Sequence, residues 1–196
     1  MATAAGLARR EQILDAAARL FSRQGYHATS VRDIGQEVGL LSGSLYSYMR
    51  SKEDLLYDVV LRAAGEFLAA LETAAAADGS PQERLREAMR SHIRVVARDV
   101  RAARVFHHEW RALTGERLAE VVRLRDRYEE LWDGIVRELP GVDDPKLPRL
   151  LVLSAANWVY TWFDPSGPLS PDELADRYVE LLLRGLSRRP EPERGR

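Results

Sequence analysis

The sequence contains no cysteine. Disulfides, thiolate zinc sites and thiol nucleophiles are therefore excluded, and no thiol switch is available. No run of about 18 uninterrupted apolar residues occurs, so a membrane-spanning helix is not expected. Convincing period-2 alternation and hairpin turn signals are missing, which argues against strands. No nucleophile elbow, P-loop, dinucleotide fingerprint or metalloprotease motif is present, so an enzyme is not expected. Residues 1–10 lack the apolar core of a secretion signal, which makes the cytoplasm the expected compartment. An excess of one charge sign is also missing: 29 Lys/Arg stand against 30 Asp/Glu, a net charge of −1. A uniformly basic coat for nucleic acid is ruled out.

The even balance hides a division. Residues 1–52 carry seven basic residues against four acidic ones, whereas the remainder carries 22 against 26. All four tryptophans, Trp110, Trp132, Trp158 and Trp162, lie in the second part. The division predicts a basic head at 1–52 and a larger acidic body at 53–187. The polar, proline-bearing residues 188–196 are expected to form a disordered tail.

Helical spacing runs throughout. Ile13, Ala16, Ala17, Leu20 and Phe21 share one helical face, closed by Gly25. Ser30-Val31-Arg32-Asp33 opens a short helix ending at Gly39, and a second short helix is predicted over 42–48. Ser51-Lys52-Glu53-Asp54 starts a longer helix. Ser80-Pro81-Gln82-Glu83 and Ser170-Pro171-Asp172-Glu173 combine an N-cap, a first-turn proline and an acid. Further helices are expected over 102–113, from about 118 to Pro140, and from 145–148 to about Phe163. The expected fold is all-α, with about nine helices.

Two short helices joined by a glycine-bearing turn are the helix-turn-helix pattern. Leu45 would be buried against Ile34 and Val38, leaving Ser42, Gly43, Ser44, Tyr46 and Tyr48 outward. Hydroxyls and a glycine at a helix start permit close approach to a phosphate backbone, and tyrosine rings can meet thymine methyls. Arg10-x-x-Ile13-Leu14-x-Ala16-Ala17-x-x-Leu20-Phe21, Gly25-Tyr26-x-x-Thr29-Ser30 and Gly43-Ser44-Leu45-Tyr46-x-Tyr48-x-x-Ser51-Lys52-Glu53 together resemble the DNA-binding head of the TetR family. That resemblance covers about residues 8–60. It implies an all-helical homodimeric repressor whose body binds a small effector. By position it implies DNA contacts from Thr29, Ser30, Arg32, Ser42, Gly43, Ser44, Tyr46, Tyr48 and Lys52, with Lys52 clamping a phosphate. Ser30 also reads as a helix cap, and Arg32 and Lys52 as solvated charges. Gly35 departs from the family's usual alanine, which is expected to loosen its helix by roughly 0.5–1 kcal/mol.

The last two helices carry broad apolar stripes. Leu150, Leu151, Trp158, Leu174, Tyr178, Leu181, Leu182 and Gly185 are expected at a symmetric dimer interface, or else packed on the body. Paired heads would then read half-sites about 34–36 Å apart. Phe106, Trp110, Tyr128, Trp132, Asn157, Trp158 and Trp162 are candidate effector contacts, although tryptophan at helical spacing also fits a core. His107-His108-Glu109, with His92, invites a metal reading, but adjacent helical residues point about 100° apart and no metal or cofactor is expected.

A second resemblance narrows the effector. Leu41-Ser42-Gly43-Ser44-Leu45-Tyr46, Asn157-Trp158-x-x-x-Trp162-Phe163-x-Pro165-x-Gly167-Pro168 and Tyr178-x-x-Leu181-x-Leu183-x-Gly185-Leu186 look like a TetR branch controlling fatty-acid or steroid-ring breakdown. Members of that branch respond to acyl-CoA thioesters. The resemblance implies an acyl group among the aromatics and CoA phosphates near Arg101, Arg104 or Arg111. The partners implied are an operator duplex, an acyl-CoA-like effector and a second copy of the chain, with no membrane. The alternative is a regulator of an efflux gene that senses lipophilic drugs. A helical interaction module without DNA or an enzyme is more remote.

Overall fold

A computed structural model describes residues 4–186. Among them are nine α-helices and two one-turn 3₁₀ segments, with no strand. The expected tail at 188–196 lies outside the described residues. No described helix is long and apolar enough to cross a membrane.

Helix α1 spans Ala4–Gln24 and buries the expected face, from Ile13 and Leu14 through Leu20 and Phe21. Gly25 ends it with φ +85°, its N–H donating to the Phe21 carbonyl at 2.9 Å. Helix α2, Val31–Glu37, begins with a complete capping box between Ser30 and Asp33. Helix α3 is shorter than the sequence predicts: it covers Ser42–Leu45, and 46–48 continue as turns. The backbone tightens there, with the Tyr48 N–H donating to the Leu45 carbonyl at 2.8 Å.

Helix α4 spans Lys52–Ala75 and α5 spans Pro81–Arg98. The expected helix over 102–113 is divided. Asp99 caps α6, Val100–His108, and a 3₁₀ turn follows at Trp110–Ala112. Helix α7 spans Gly115–Arg137. Helix α8 also ends early, covering Lys146–Asn157 before a 3₁₀ turn at Val159–Thr161. Helix α9, Pro171–Leu186, starts at the Ser170–Glu173 capping pair.

The chain forms two compact units. Among the described residues, the first comprises 4–68 and Arg98–Arg127, and the second Ala69–Ala97 and 128–186. The first unit contains α1, α2 and α3, with α6 packed on α1. The second contains α8 and α9. Its α5 segment is tied to α9 by paired ions: Arg90 grips Asp176 through bonds of 2.8 and 2.7 Å, and Arg94 grips Asp172 through two of 2.7 Å. Bidentate guanidinium–carboxylate pairs fix orientation as well as distance.

Candidate nucleic-acid interface

The head places one residue of α3 inward and most of the others outward. Leu45 has no exposed surface, and Met49 beyond it is buried. Gly43, Ser44 and Tyr46 are exposed; Ser42 and Tyr48 are half-buried. Ser30 and Arg32 are also exposed, at the start of α2. Ser30 is already engaged: its hydroxyl accepts the Asp33 N–H at 3.1 Å, and its own N–H donates to Asp33 at 2.8 Å. These bonds hold the Asp33 carboxyl below its usual pKa.

The turn between α2 and α3 is held tightly. The Leu40 N–H donates to the Gly35 carbonyl at 2.8 Å. A Cβ at Gly35 would lie 2.7 Å from the Leu40 carbonyl oxygen, closer than side-chain carbons approach backbone oxygen. The glycine expected to loosen α2 is therefore what admits this turn. Arg9 reaches from α1 to donate to the Val38 carbonyl at 2.7 Å, closing the end of α2.

Two of the residues with implied DNA contacts, Thr29 and Lys52, also hold the head together. Thr29 is only 1% exposed, and its hydroxyl donates inward to the Gly25 carbonyl at 2.8 Å. Its hydroxyl completes the end of α1. Lys52 donates to the carbonyls of Tyr26 and Thr29, both at 2.7 Å, with its ammonium 4.1 Å from the Tyr26 ring centre. Two of its three N–H bonds thus hold the α1–α2 connection, leaving one N–H beyond them. The start of α4 is fixed further by Asp54, which accepts the N–H groups of Arg50 and Ser51 and pairs with Arg117.

The effector candidates separate by unit. In the first unit Phe106 stacks on Phe67 with ring centres 5.5 Å apart. Trp110 lies between two guanidinium groups, those of Arg111 and Arg125, each 4.6 Å from its ring centre. Arg125 also faces Phe106 at 5.6 Å. Sequence reasoning missed Arg125. The available signal was its spacing, four residues after Val121 and three before Tyr128 on the apolar stripe of α7. In the second unit the Tyr128 hydroxyl meets His92 Nδ1 at 2.6 Å. Burial pulls the His92 pKa down to about 4, against a backbone hydrogen bond with Ala156 that favours the charged form. Burial likewise raises Tyr128. Trp132 has no exposed surface and meets Tyr128 edge-on. Asn157 is half-buried. Trp158 and Trp162 are exposed, and Trp158 continues the outward side of α8 that carries Leu150 and Ser154. Among the described residues no group of three His, Asp or Glu is arranged to hold a metal ion.

The expected dimer residues divide similarly. Leu150, Leu151, Trp158, Leu181 and Gly185 are exposed, and Tyr178 and Leu182 half-buried. Leu151, Ala155, Tyr178, Leu181, Leu182 and Gly185 line an open apolar groove of about 590 Å³. Leu174 is the exception: it is buried in the second unit, on the inward side of α9 with Ala175 and Val179.

The sequence pattern of "Bacterial regulatory proteins, tetR family" matches residues 13–59, and that of "Tetracyclin repressor-like, C-terminal domain" matches residues 78–186. The chain belongs to the TetR family. It is 30% identical to the HTH-type transcriptional repressor KstR2 of Mycolicibacterium smegmatis, over 91% of each chain. It also resembles the crystal structure of the TetR-family regulator PfmR from Thermus thermophilus, with a TM-score of 0.80 and 37% identity. That match covers 90% of this chain and 99% of PfmR. AibR, solved in complex with isovaleryl coenzyme A and operator DNA, matches with a TM-score of 0.78 and 28% identity. It covers 89% of this chain and 98% of AibR.

Membership in the TetR family identifies α2 and α3 as the helix-turn-helix of a DNA-binding transcriptional regulator, not part of an enzyme. It also assigns the second matched region, 78–186, to the TetR C-terminal domain.

Proposed function

We propose that this TetR-family protein is a repressor that binds a palindromic operator as a homodimer and is released by an acyl-CoA thioester. Residues 1–52 would form the reading head and 53–187 the effector and dimer body, working in the compartment that holds the chromosome. The observation that carries the operator half is the outward row on and after α3: Ser42, Gly43, Ser44, Tyr46 and Tyr48 around a buried Leu45. Ser30 and Arg32 flank it as backbone contacts. Such a row combines groups that meet phosphates with groups that meet base edges.

A second copy of the chain fits the α8–α9 groove. Its apolar lining continues into exposed Leu150 and Trp158, a run of surface that water disfavours. For the effector, the Trp110 cluster supports an anion with an apolar arm: aromatic faces for an acyl chain, and Arg111 and Arg125 for phosphate. The likeness to AibR supports the same class. The lipophilic-cation alternative fits less well, because two guanidinium groups beside the ring repel a cation.

Repression requires that the DNA-competent conformer dominate without ligand. An acyl-CoA that prefers another conformer by about 1–3 kcal/mol weakens operator binding roughly 5–150-fold. The test begins with selection from random duplexes, where a palindrome is expected. Anisotropy on the enriched duplex then follows addition of isovaleryl-CoA, longer acyl-CoAs, free CoA and a lipophilic cation. Release by an acyl-CoA supports the proposal. Unchanged affinity at saturating acyl-CoA overturns the effector class, and release by the cation alone favours the drug-sensing alternative.

A further inference from the structure

Leu41 breaks two local rules at once. It occupies the N-cap position of α3, with φ −68° and ψ 146°, and forms no side-chain cap. Serine, threonine, aspartate or asparagine at such a position stabilises the helix start, whereas leucine leaves its N–H groups unsatisfied by the cap. Leu41 is also 81% exposed, the most exposed large apolar residue in the described chain. It therefore neither fills the core nor closes the helix. Leu40 beside it anchors the turn through its backbone, and Leu45 supplies the buried contact, so the local fold already has what it needs. Such departures from local preference cluster at functional positions, and Leu41 sits beside the outward residues of α3.

The position of Leu41 says which contact. It immediately precedes Ser42, Gly43 and Ser44, and a Cβ added to Gly43 would meet nothing within 4 Å, so the surface around it is open. The side chain carries no hydrogen-bonding group, so it cannot hold a phosphate. The apolar feature that a DNA major groove offers is the thymine C5-methyl group, which aliphatic side chains read by contact.

We propose that Leu41 is a specificity-determining residue whose side chain meets a thymine methyl in the major groove of each operator half-site. This rests on the operator reading above and adds a base preference to it. Neighbouring hydroxyls and tyrosines provide polar contacts; Leu41 provides an apolar one, and only thymine answers it.

The test uses the full chain and the duplex enriched from random DNA. Each thymine of one half-site is replaced in turn by deoxyuridine, which lacks only the methyl. Burial of one such carbon corresponds to about a three- to fivefold change in affinity. The wild-type protein is expected to lose that factor at one thymine, and Leu41→Ala to be indifferent at the same position. Leu41→Ser restores a capping hydroxyl, so its melting temperature is expected to rise while the methyl preference disappears. That variant guards against loss of fold as the cause. If no thymine shows methyl dependence coupled to residue 41, the proposal is overturned. A Leu41→Ala effect equal on thymine and deoxyuridine overturns it too, by assigning Leu41 to the sugar–phosphate backbone. A lower melting temperature for Leu41→Ser overturns the premise that Leu41 is dispensable to the fold. If selection enriches no sequence at all, the operator reading itself fails and takes this inference with it.

Discussion

At the scale of single residues, the charged and polar groups of the head divide between holding it together and facing outward. Lys52 shows the difference. Its sequence position implies a phosphate contact, but its ammonium bridges two carbonyls of the α1–α2 connection. Lys52→Ala is therefore expected to destabilise the protein by about 2 kcal/mol, since hydrogen bonds from a charged donor exceed neutral ones. Urea unfolding measures the loss. The slope of log affinity against log salt is expected to fall by less than the one unit of a full phosphate contact. His92 gives a second prediction in the other unit. Its folded pKa of about 4 lies below the ordinary value, so between about pH 6.5 and 4 the unfolded chain binds a proton that the folded one refuses. Stability is full above that window and falls through it, by about 3 kcal/mol in all. Thermal melts across this range test it, with His92→Gln expected to flatten the slope.

At the scale of elements, caps and ion pairs decide where helices start and how they are held. Ser30, Ser80 and Ser170 each form reciprocal bonds with an acid three residues on. These starts were legible because the chemistry is local. The hold of α5 on α9 is not local: Arg90 and Arg94 meet Asp176 and Asp172 across 86 and 78 positions. The pairs are partly solvated, so replacing both arginines by glutamine is expected to cost only about 1–2 kcal/mol. Hydrogen bonds and the charges of Arg94 and Arg90 hold both aspartates below their usual pKa. Their contribution is present above about pH 4, the ordinary aspartate value, and is lost as the pH falls further. Acid titration of the double variant beside the wild type should show a weaker decline below pH 4.

At the scale of the whole molecule, the exposed apolar face of α8 and α9 is the feature that folding of one chain leaves unfinished. Leu181 is 68% exposed on the rim of the groove, so a charge there leaves the core of its own unit untouched. Leu181→Glu is expected to give a folded monomer, with unchanged circular dichroism and half the mass by light scattering. Its binding to a palindrome should drop to that of a single half-site. A dimeric Leu181→Glu protein would remove this groove from the interface.

The sequence by itself determined the all-α class, the serine-capped helix starts, the helix-turn-helix and the inward residues of α1 and α3. These depend on spacing of 3–4 residues and on caps, which act within one turn. Tertiary structure decided what spacing leaves open. The 3₁₀ turns after α6 and α8 end those helices earlier than spacing predicts, and Trp158 falls on the outward side of α8 with Leu150 and Ser154. Trp132 and Leu174 are buried, which helical spacing alone leaves open. Lys52 reaches the carbonyls of Tyr26 and Thr29 because folding brings the start of α4 beside the α1–α2 connection. Arg125 joins the Trp110 cluster for a similar reason: periodicity says which side of α7 it occupies, but only packing says what that side faces.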